Sequence, residues 1–341
     1  MKSPGAHQGG AKDALPVAVD AMGGDFAPDA IVEGARRAHE EFGLPVLLVG
    51  DPERIGEQGD LDLLAASETI AMDEDPAQAV RRKKDSSLVR AAEAVRDGRA
   101  SAMVSAGNTG AAMASALLRI GRIRGVLRPA IATPIPNMSG PLGVLLDAGA
   151  NAECSAPMLV QFAQMGAAYA SARSGTLEPK VALLSIGEEK SKGTPTVKEA
   201  HGLLERLEDL HFIGNVEGRE LLRGTADVVV TDGFTGNVAL KALEGALRFF
   251  MDLLAGVFAT DEDTKKASEV LLPHLVPIAD VFEPDNTGGA MLLGINGICV
   301  ISHGSSSAKA IVSAVRTAHD LAAGGLVERL ESAIKPESAG P

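Results

Sequence analysis

Seven times along the 341 residues, a short apolar run opens into a loop of glycine and small polar residues. The segments are VAVDAMGGD (17–25), VLLVGD (46–51), AMVSAGNTG (102–110), VLLDAGAN (144–151), VALLSIGEE (181–189), VVVTDGFTGN (228–237) and ICVISHGSSS (298–307). Unbroken apolar runs of this length suit strands buried on both faces of a parallel sheet. Helical periodicity fills most of the intervals, over 30–42, 87–96, 109–119, 157–171, 196–207 and 238–254. The alternation predicts an α/β fold, a wound and mostly parallel sheet sandwiched by helices. Ligands in such folds sit beyond the carboxyl ends of the strands, so the seven loops are expected to gather at one end of the sheet.

Residues 15–333 read as a single α/β domain, with disordered tails over 1–14 and 334–341. The stretch of about 244–286 has no buried-strand signature and carries the charge run DEDTKK (261–266) between large apolar residues, which predicts an inserted helical hairpin. PAIATPIPNMSGPLG (129–143) reads as a loop and an edge strand leading to Val144. The opening fourteen residues lack the apolar core of a signal peptide, and no run of about 18 apolar residues is present to span a membrane.

Charge and composition exclude several functions. The chain has a formal net charge of −13, no Trp and one Tyr. It therefore lacks the basic excess and aromatic platforms of a nucleic-acid binder, and an acidic partner would need a local basic patch. Cys154 and Cys299 lie in or beside apolar segments, which suits a reducing cytosol better than a disulfide framework or zinc cage. The histidines show no metal spacing, so no metal site is inferred. The phosphate-binding loop of nucleotidases, the dinucleotide fingerprint and the serine-hydrolase elbow are all missing, which points to a small anion such as inorganic phosphate or a phosphoryl group.

The loops themselves suggest where that anion would sit. In SAGNTGAAMASALL (105–118), Ser105 ends a strand, Gly107 frees the turn, and Asn108 or Thr109 can cap the following helix. Exposed N–H groups at such a helix start attract anions, although a capped helix without a ligand fits the same residues. GFTGN (233–237) repeats the Thr-Gly placement before another helix. The bare pair Gly23 and Gly24, between Asp20 and Asp25, would let main chain approach a substrate, or would merely permit a tight turn. DAGAN supplies Asp147 and Asn151, and SHGSSS supplies His303. Beside a phosphate, Asp20 and Asp147 must orient donors, hold a proton or shape their loops. Lys190 and Lys192, in SIGEEKSKG, either belong to a solvated loop or place one ammonium on a phosphate or developing oxyanion.

Taken together, VAVDAMGGDFAP, RRKKDSSLV (81–89), SAGNTGA, LLDAGAN, LLSIGEEKSKG, FIGNVEGRE (212–220), DVVVTDGFTGNVALK (227–241) and GGAMLLGINGICVISHGSS (288–306) resemble the PlsX family of bacterial phosphate acyltransferases, in order from about 17 to about 318. The resemblance implies transfer of a fatty acyl group from acyl carrier protein to inorganic phosphate, giving acyl phosphate for phospholipid synthesis. It further implies a homodimer related in fold to phosphotransacetylases, no cofactor, and a cytoplasmic enzyme in peripheral contact with the membrane and with a downstream glycerol-phosphate acyltransferase. On these residues it nominates Lys192 and Asn237 as catalytic, and Asp20, Gly23, Gly24, Asp25, Ser105, Asn108, Thr109, Asp147, Asn151, Asp232, Thr235 and His303 as substrate-binding. Arg122, Arg124 and Arg128 are candidates for carrier-protein docking. Phe258, Leu271 and Leu272 in the hairpin either pack in a core or dimer or touch a membrane. A phosphate acetyltransferase using coenzyme A thioesters and a non-catalytic phosphate- or acyl-binding regulator are the alternatives.

Overall fold

A computed structural model describes residues 15–138, 142–282 and 284–334; the tail of 1–14 and all but the first residue of the tail of 334–341 lie outside them. That first residue, Ile334, is buried in the core rather than part of a tail. In chain order the elements are β1 (Val17–Asp20), α1 (Asp29–Phe42), β2 (Val46–Gly50), α2 (Pro52–Ile55), β3 (Asp62–Ala65), α3 (Pro76–Arg82), α4 (Ser87–Arg96), β4 (Ala102–Ser105), α5 (Thr109–Ser115), β5 (Ala130–Ile135), β6 (Gly143–Leu146), α6 (Ala156–Ser174), β7 (Val181–Leu184), α7 (Pro195–Leu204), β8 (Phe212–Val216), β9 (Val228–Val230), α8 (Gly233–Phe258), α9 (Glu262–Phe282), β10 (Ala290–Leu293), β11 (Ile298–Ile301), α10 (Ala308–Ala323) and α11 (Leu326–Ala333).

The strands form one sheet in the order β3-β2-β1-β4-β11-β10-β5-β6-β9-β7-β8. Alternate residues of each apolar run feed opposite faces: Val17 and Val19 join one core cluster while Ala18 joins another. Helices α1, α6, α7, α10 and α11 cover the first face through residues such as Ile31, Leu159, Ala200, Ile311 and Leu330. Helices α3, α4 and α5 cover the second through Val80, Leu88 and Ala112, joined there by Leu240 of α8. Caps start the helices where their sequences place them. Ser86, Asn108, Thr194, Asp232 and Ser307 each accept from a backbone N–H in the first turn.

Two expectations are corrected. The segment within 129–143 is not an edge strand, because β5 lies inside the sheet between β10 and β6. Pro134 is tolerated there since β5 pairs β10 only over Ala130–Ala132, so its missing N–H forfeits no bond on that side. The polar loops also do not gather at one end. Three successive pairings, β11 with β10, β10 with β5, and β5 with β6, are antiparallel. Three reversals leave β6, β7, β8 and β9 running opposite to β1, β2, β3, β4 and β11, so the loops leave the sheet in two groups, from opposite ends.

Beyond residue 230 the helical region is one continuous helix of 26 residues, α8, which begins at the Thr-Gly loop itself rather than near 244. Helix α9 returns beside it, after Asp261 accepts from the N–H of Thr264 to close the turn. Among the described residues no helix is long and apolar enough to cross a membrane.

Candidate functional site

The first group of loops joins the ends of β1, β4 and β11. Asp20 is buried, and its carboxylate accepts from the Ser105 hydroxyl at 2.7 Å and the Met22 N–H at 3.2 Å. Burial pushes its pKa above the ordinary carboxylate value despite hydrogen bonds from Ser87, Ser105, Met22 and Gly23. Ser105 Oγ in turn accepts from Gly107 N–H at 3.1 Å. The bareness of the first loop now has a cause. A Cβ on Gly23 would lie 2.6 Å from Asp20 Oδ2 and 2.8 Å from the nitrogen of Gly107, so two glycine backbones meet where no side chain fits. Gly24 has φ +119°, and the next N–H, of Asp25, donates to the Gly304 carbonyl at 2.7 Å. The glycines thus allow three strand-end loops to pack on one another, a close approach that involves protein as well as any ligand.

Other side chains of this group are already committed. Asn108 Oδ1 caps α5 by accepting from Ala111 N–H, while its Nδ2 donates to the carbonyls of Met72 and Glu74. His303 is exposed, with Nδ1 accepting from the N–H of Ser305. Thr109 and Asp25 are exposed at the rim.

The second group joins β6, β7 and β9. Asp147 is fully buried and gathers five donors: the N–H groups of Ile131, Gly149, Ala150 and Asn151 and the side-chain amide of Asn151, at 2.7 to 3.2 Å. Its role is to shape the loop, and α8 docks on the result. Gly233 N–H donates to the Asn151 carbonyl at 2.7 Å, and a Cβ on Gly236 would fall 1.9 Å from the Asp147 carbonyl oxygen. Asp232 caps α8 and also accepts from the Thr235 hydroxyl. This docking brings the exposed Asn237, in the first turns, to 3.8 Å from the Cβ position of Gly149.

Lys192 stands in the loop after β7 at the same end. Its stem crosses Gly187, where a Cβ would be 2.9 Å from Lys192 Cγ, and its N–H donates to the Glu189 carbonyl. Lys190 is held by Glu205, whereas among the described residues Lys192 forms no ion pair. The structure therefore distinguishes the two lysines of this loop, of which the resemblance nominates Lys192. Lys192, Asn237, Asp147, Asn151, Asp232 and Thr235 share this end, while Asp20, Gly23, Gly24, Asp25, Ser105, Asn108, Thr109 and His303 share the other. Two residues beneath the Lys192 loop escaped the sequence reading: Ser185, at the end of β7, and Asn215, on β8. Only the run FIGNV, a short apolar stretch with an embedded Asn, could have pointed to the latter.

Cys154 lies near Asp147, but burial, then the Asp147 charge, push its thiol up to about 12. A thiol so rarely ionised is a poor nucleophile. Arg122 donates to the carbonyls of Val126 and Leu127, which ties up its own loop, and Arg122, Arg124 and Arg128 are all exposed. Among the described residues no group of three or more His, Cys, Asp or Glu is placed to hold a metal.

The fold is shared with phosphotransacetylases. A phosphotransacetylase from Streptococcus pyogenes superposes with a TM-score of 0.63 at 18% identity, covering 92% of this chain and 95% of that one. A branched-chain phosphotransacylase from Enterococcus faecalis gives 0.59 at 15%, covering 90% and 99%. The family described as fatty acid synthesis protein matches residues 15–329. Proteins named phosphate acyltransferase from Heliobacterium modesticaldum and Elusimicrobium minutum are each 47% identical, over 95% and 93% of this chain and 98% and 95% of their own. The chain belongs to the phosphate acyltransferase family and is an acyltransferase.

Proposed function

We propose that the enzyme moves a fatty acyl group from the thioester of acyl carrier protein to inorganic phosphate, with Lys192 and Asn237 nearest the reacting atoms. A phosphate oxygen attacks the carbonyl carbon, giving a tetrahedral oxyanion. The C–S bond then breaks, its electron pair leaves with sulfur, and acyl phosphate remains. A thiol has a pKa of about 8.5, so the departing thiolate can take its proton from water. Holding both reactants in line supplies much of the rate, and the Lys192 charge offsets that of phosphate or oxyanion while Asn237 donates to it. The observation that carries this reading is the Lys192 ammonium, in no ion pair among the described residues and with its stem over a glycine, at the same sheet end as Asn237.

Phosphate must be at that end when it attacks. For the first group we retain only a main-chain role toward the anion, because Ser105 and both N–H bonds of Asn108 already have acceptors. Carrier protein would dock on Arg124 and Arg128. The apolar hairpin faces would pair with a second copy of the chain, and Leu271 and Leu272, midway along α9, would rest on a membrane surface. Lys192→Ala is expected to lower phosphate-dependent turnover about 100-fold or more with an unchanged melting temperature. Near-normal release of acyl phosphate from that variant would refute the assignment. Comparing acyl carrier protein with coenzyme A thioesters, in phosphate labelled with heavy oxygen, tests the donor and the nucleophile together.

A further inference from the structure

The carbonyl of Glu189 accepts two hydrogen bonds, one from the Lys192 N–H at 2.9 Å and one from Asn215 Nδ2 at 3.0 Å. Asn215 is 6% exposed on β8, opposite Leu183, one residue before β7 gives way to the Lys192 loop. Its amide is thus the buried peg to which the turn Glu189–Lys192 is tied, and the turn decides where the lysine stem begins its path across Gly187. Asn215 suits that task and little else. Its Oδ1 and the nearby Ser185 Oγ are buried without a hydrogen-bond partner among the described residues, an arrangement that costs stability. An apolar residue of similar size would avoid that cost, so stability does not explain an amide here, and local departures of this kind collect at functional sites.

We propose that Asn215 is a positioning residue for Lys192, fixing the Glu189–Lys192 turn so that the ammonium meets phosphate or the oxyanion. The inference rests on the reading of Lys192 given above. It acts through the turn and touches no substrate, so its loss should appear in kcat rather than in the KM for acyl donor.

Asn215→Leu keeps the volume and removes the donor. The expected result is a kcat lower by about 10-fold to 100-fold, as for a catalytic group displaced by about an ångström, with acyl-donor KM within twofold and a melting temperature equal to or above that of the unaltered enzyme. Asn215→Asp, which sets a carboxylate against the Glu189 carbonyl, should lose at least as much. In a Lys192→Arg background, where the ammonium is already replaced, Asn215→Leu should lower kcat by less than threefold. An unchanged kcat in Asn215→Leu, or an equal loss in both backgrounds, would overturn the proposal. A fall in kcat explained by a lower melting temperature and recovered by cooling would assign Asn215 a structural role instead and overturn it too. Wild-type turnover by Lys192→Ala would remove the underlying reading of the site, a different result from any of these.

Discussion

Two carboxylates at strand ends, similar as letters, have opposite tasks. Asp147 is saturated by five donors and serves as the hub of its loop. Asp20 has fewer donors, and burial holds its carboxyl pKa above the ordinary carboxylate value. The same contrast governs the glycines, whose importance depends on what stands opposite. Gly23→Ala pushes a methyl group into the Asp20 carboxylate and the Gly107 backbone, and should cost about 1–3 kcal/mol. Gly202, inside α7 with nothing within 4 Å, should gain roughly 0.5–1 kcal/mol as alanine. Urea unfolding of the two variants gives the comparison, and equal midpoints would mean that the meeting of Gly23 and Gly107 carries no strain. That glycines cluster at these loops was legible in the sequence; that Gly107 presses on Gly23 was not, since the two lie 84 positions apart in the chain.

At the scale of elements, the hairpin of α8 and α9 stands out because its apolar residues are not inside. Phe249 is 65% exposed and Phe250 61%, with Leu253 and Val257 on the same helix and Leu271 and Leu272 on the next also open to solvent. Phe258 is only half-buried. An open apolar stripe of this extent marks a contact surface. If the stripe pairs two copies, Phe249→Asp with Phe250→Asp should convert a dimer to a monomer in light scattering while the rest of the fold keeps its melting transition. A variant that keeps the native mass would shift the role to another partner, and liposome flotation of Leu271→Glu/Leu272→Glu separates the membrane alternative. The sequence placed a helical hairpin here by its charge run and missing strand signature. Helical periodicity over 238–254 already put a helix directly after the Thr-Gly loop; that this same helix is the hairpin's first arm, unbroken to Phe258, was not read.

Across the whole molecule, the alternation of runs announced the sandwich, but direction was hidden. An apolar run carries no sign of which way its strand points. The reversal lies in connections: GING (294–297) joins β10 to β11 as a hairpin, and that Gly-framed spacing was the available clue. The two outermost strands, β3 and β8, escaped the reading because they carry exposed or half-buried residues in place of an unbroken buried apolar run. Global charge is better expressed in the sequence than local charge. The net −13 repels an acidic partner at long range, so docking of one would rest on a local basic patch, for which Arg124 and Arg128 are the proposed cations. Reversing both to Glu should raise the KM for carrier protein several-fold at low salt and flatten its dependence on ionic strength. An unaltered salt profile would locate the docking surface elsewhere.

The seating of Gly236 against the Asp147 carbonyl also has a mechanical meaning. That contact is a fulcrum at the very foot of a rod about 39 Å long, with Asn237 next to the pivot and Phe258 at the far tip. Swinging the rod by ten degrees would sweep the tip through about 6 Å yet shift Asn237 by well under an ångström. Any tilt of the hairpin about this foot would therefore reach its tip largely undiminished while leaving Asn237 almost where it stands.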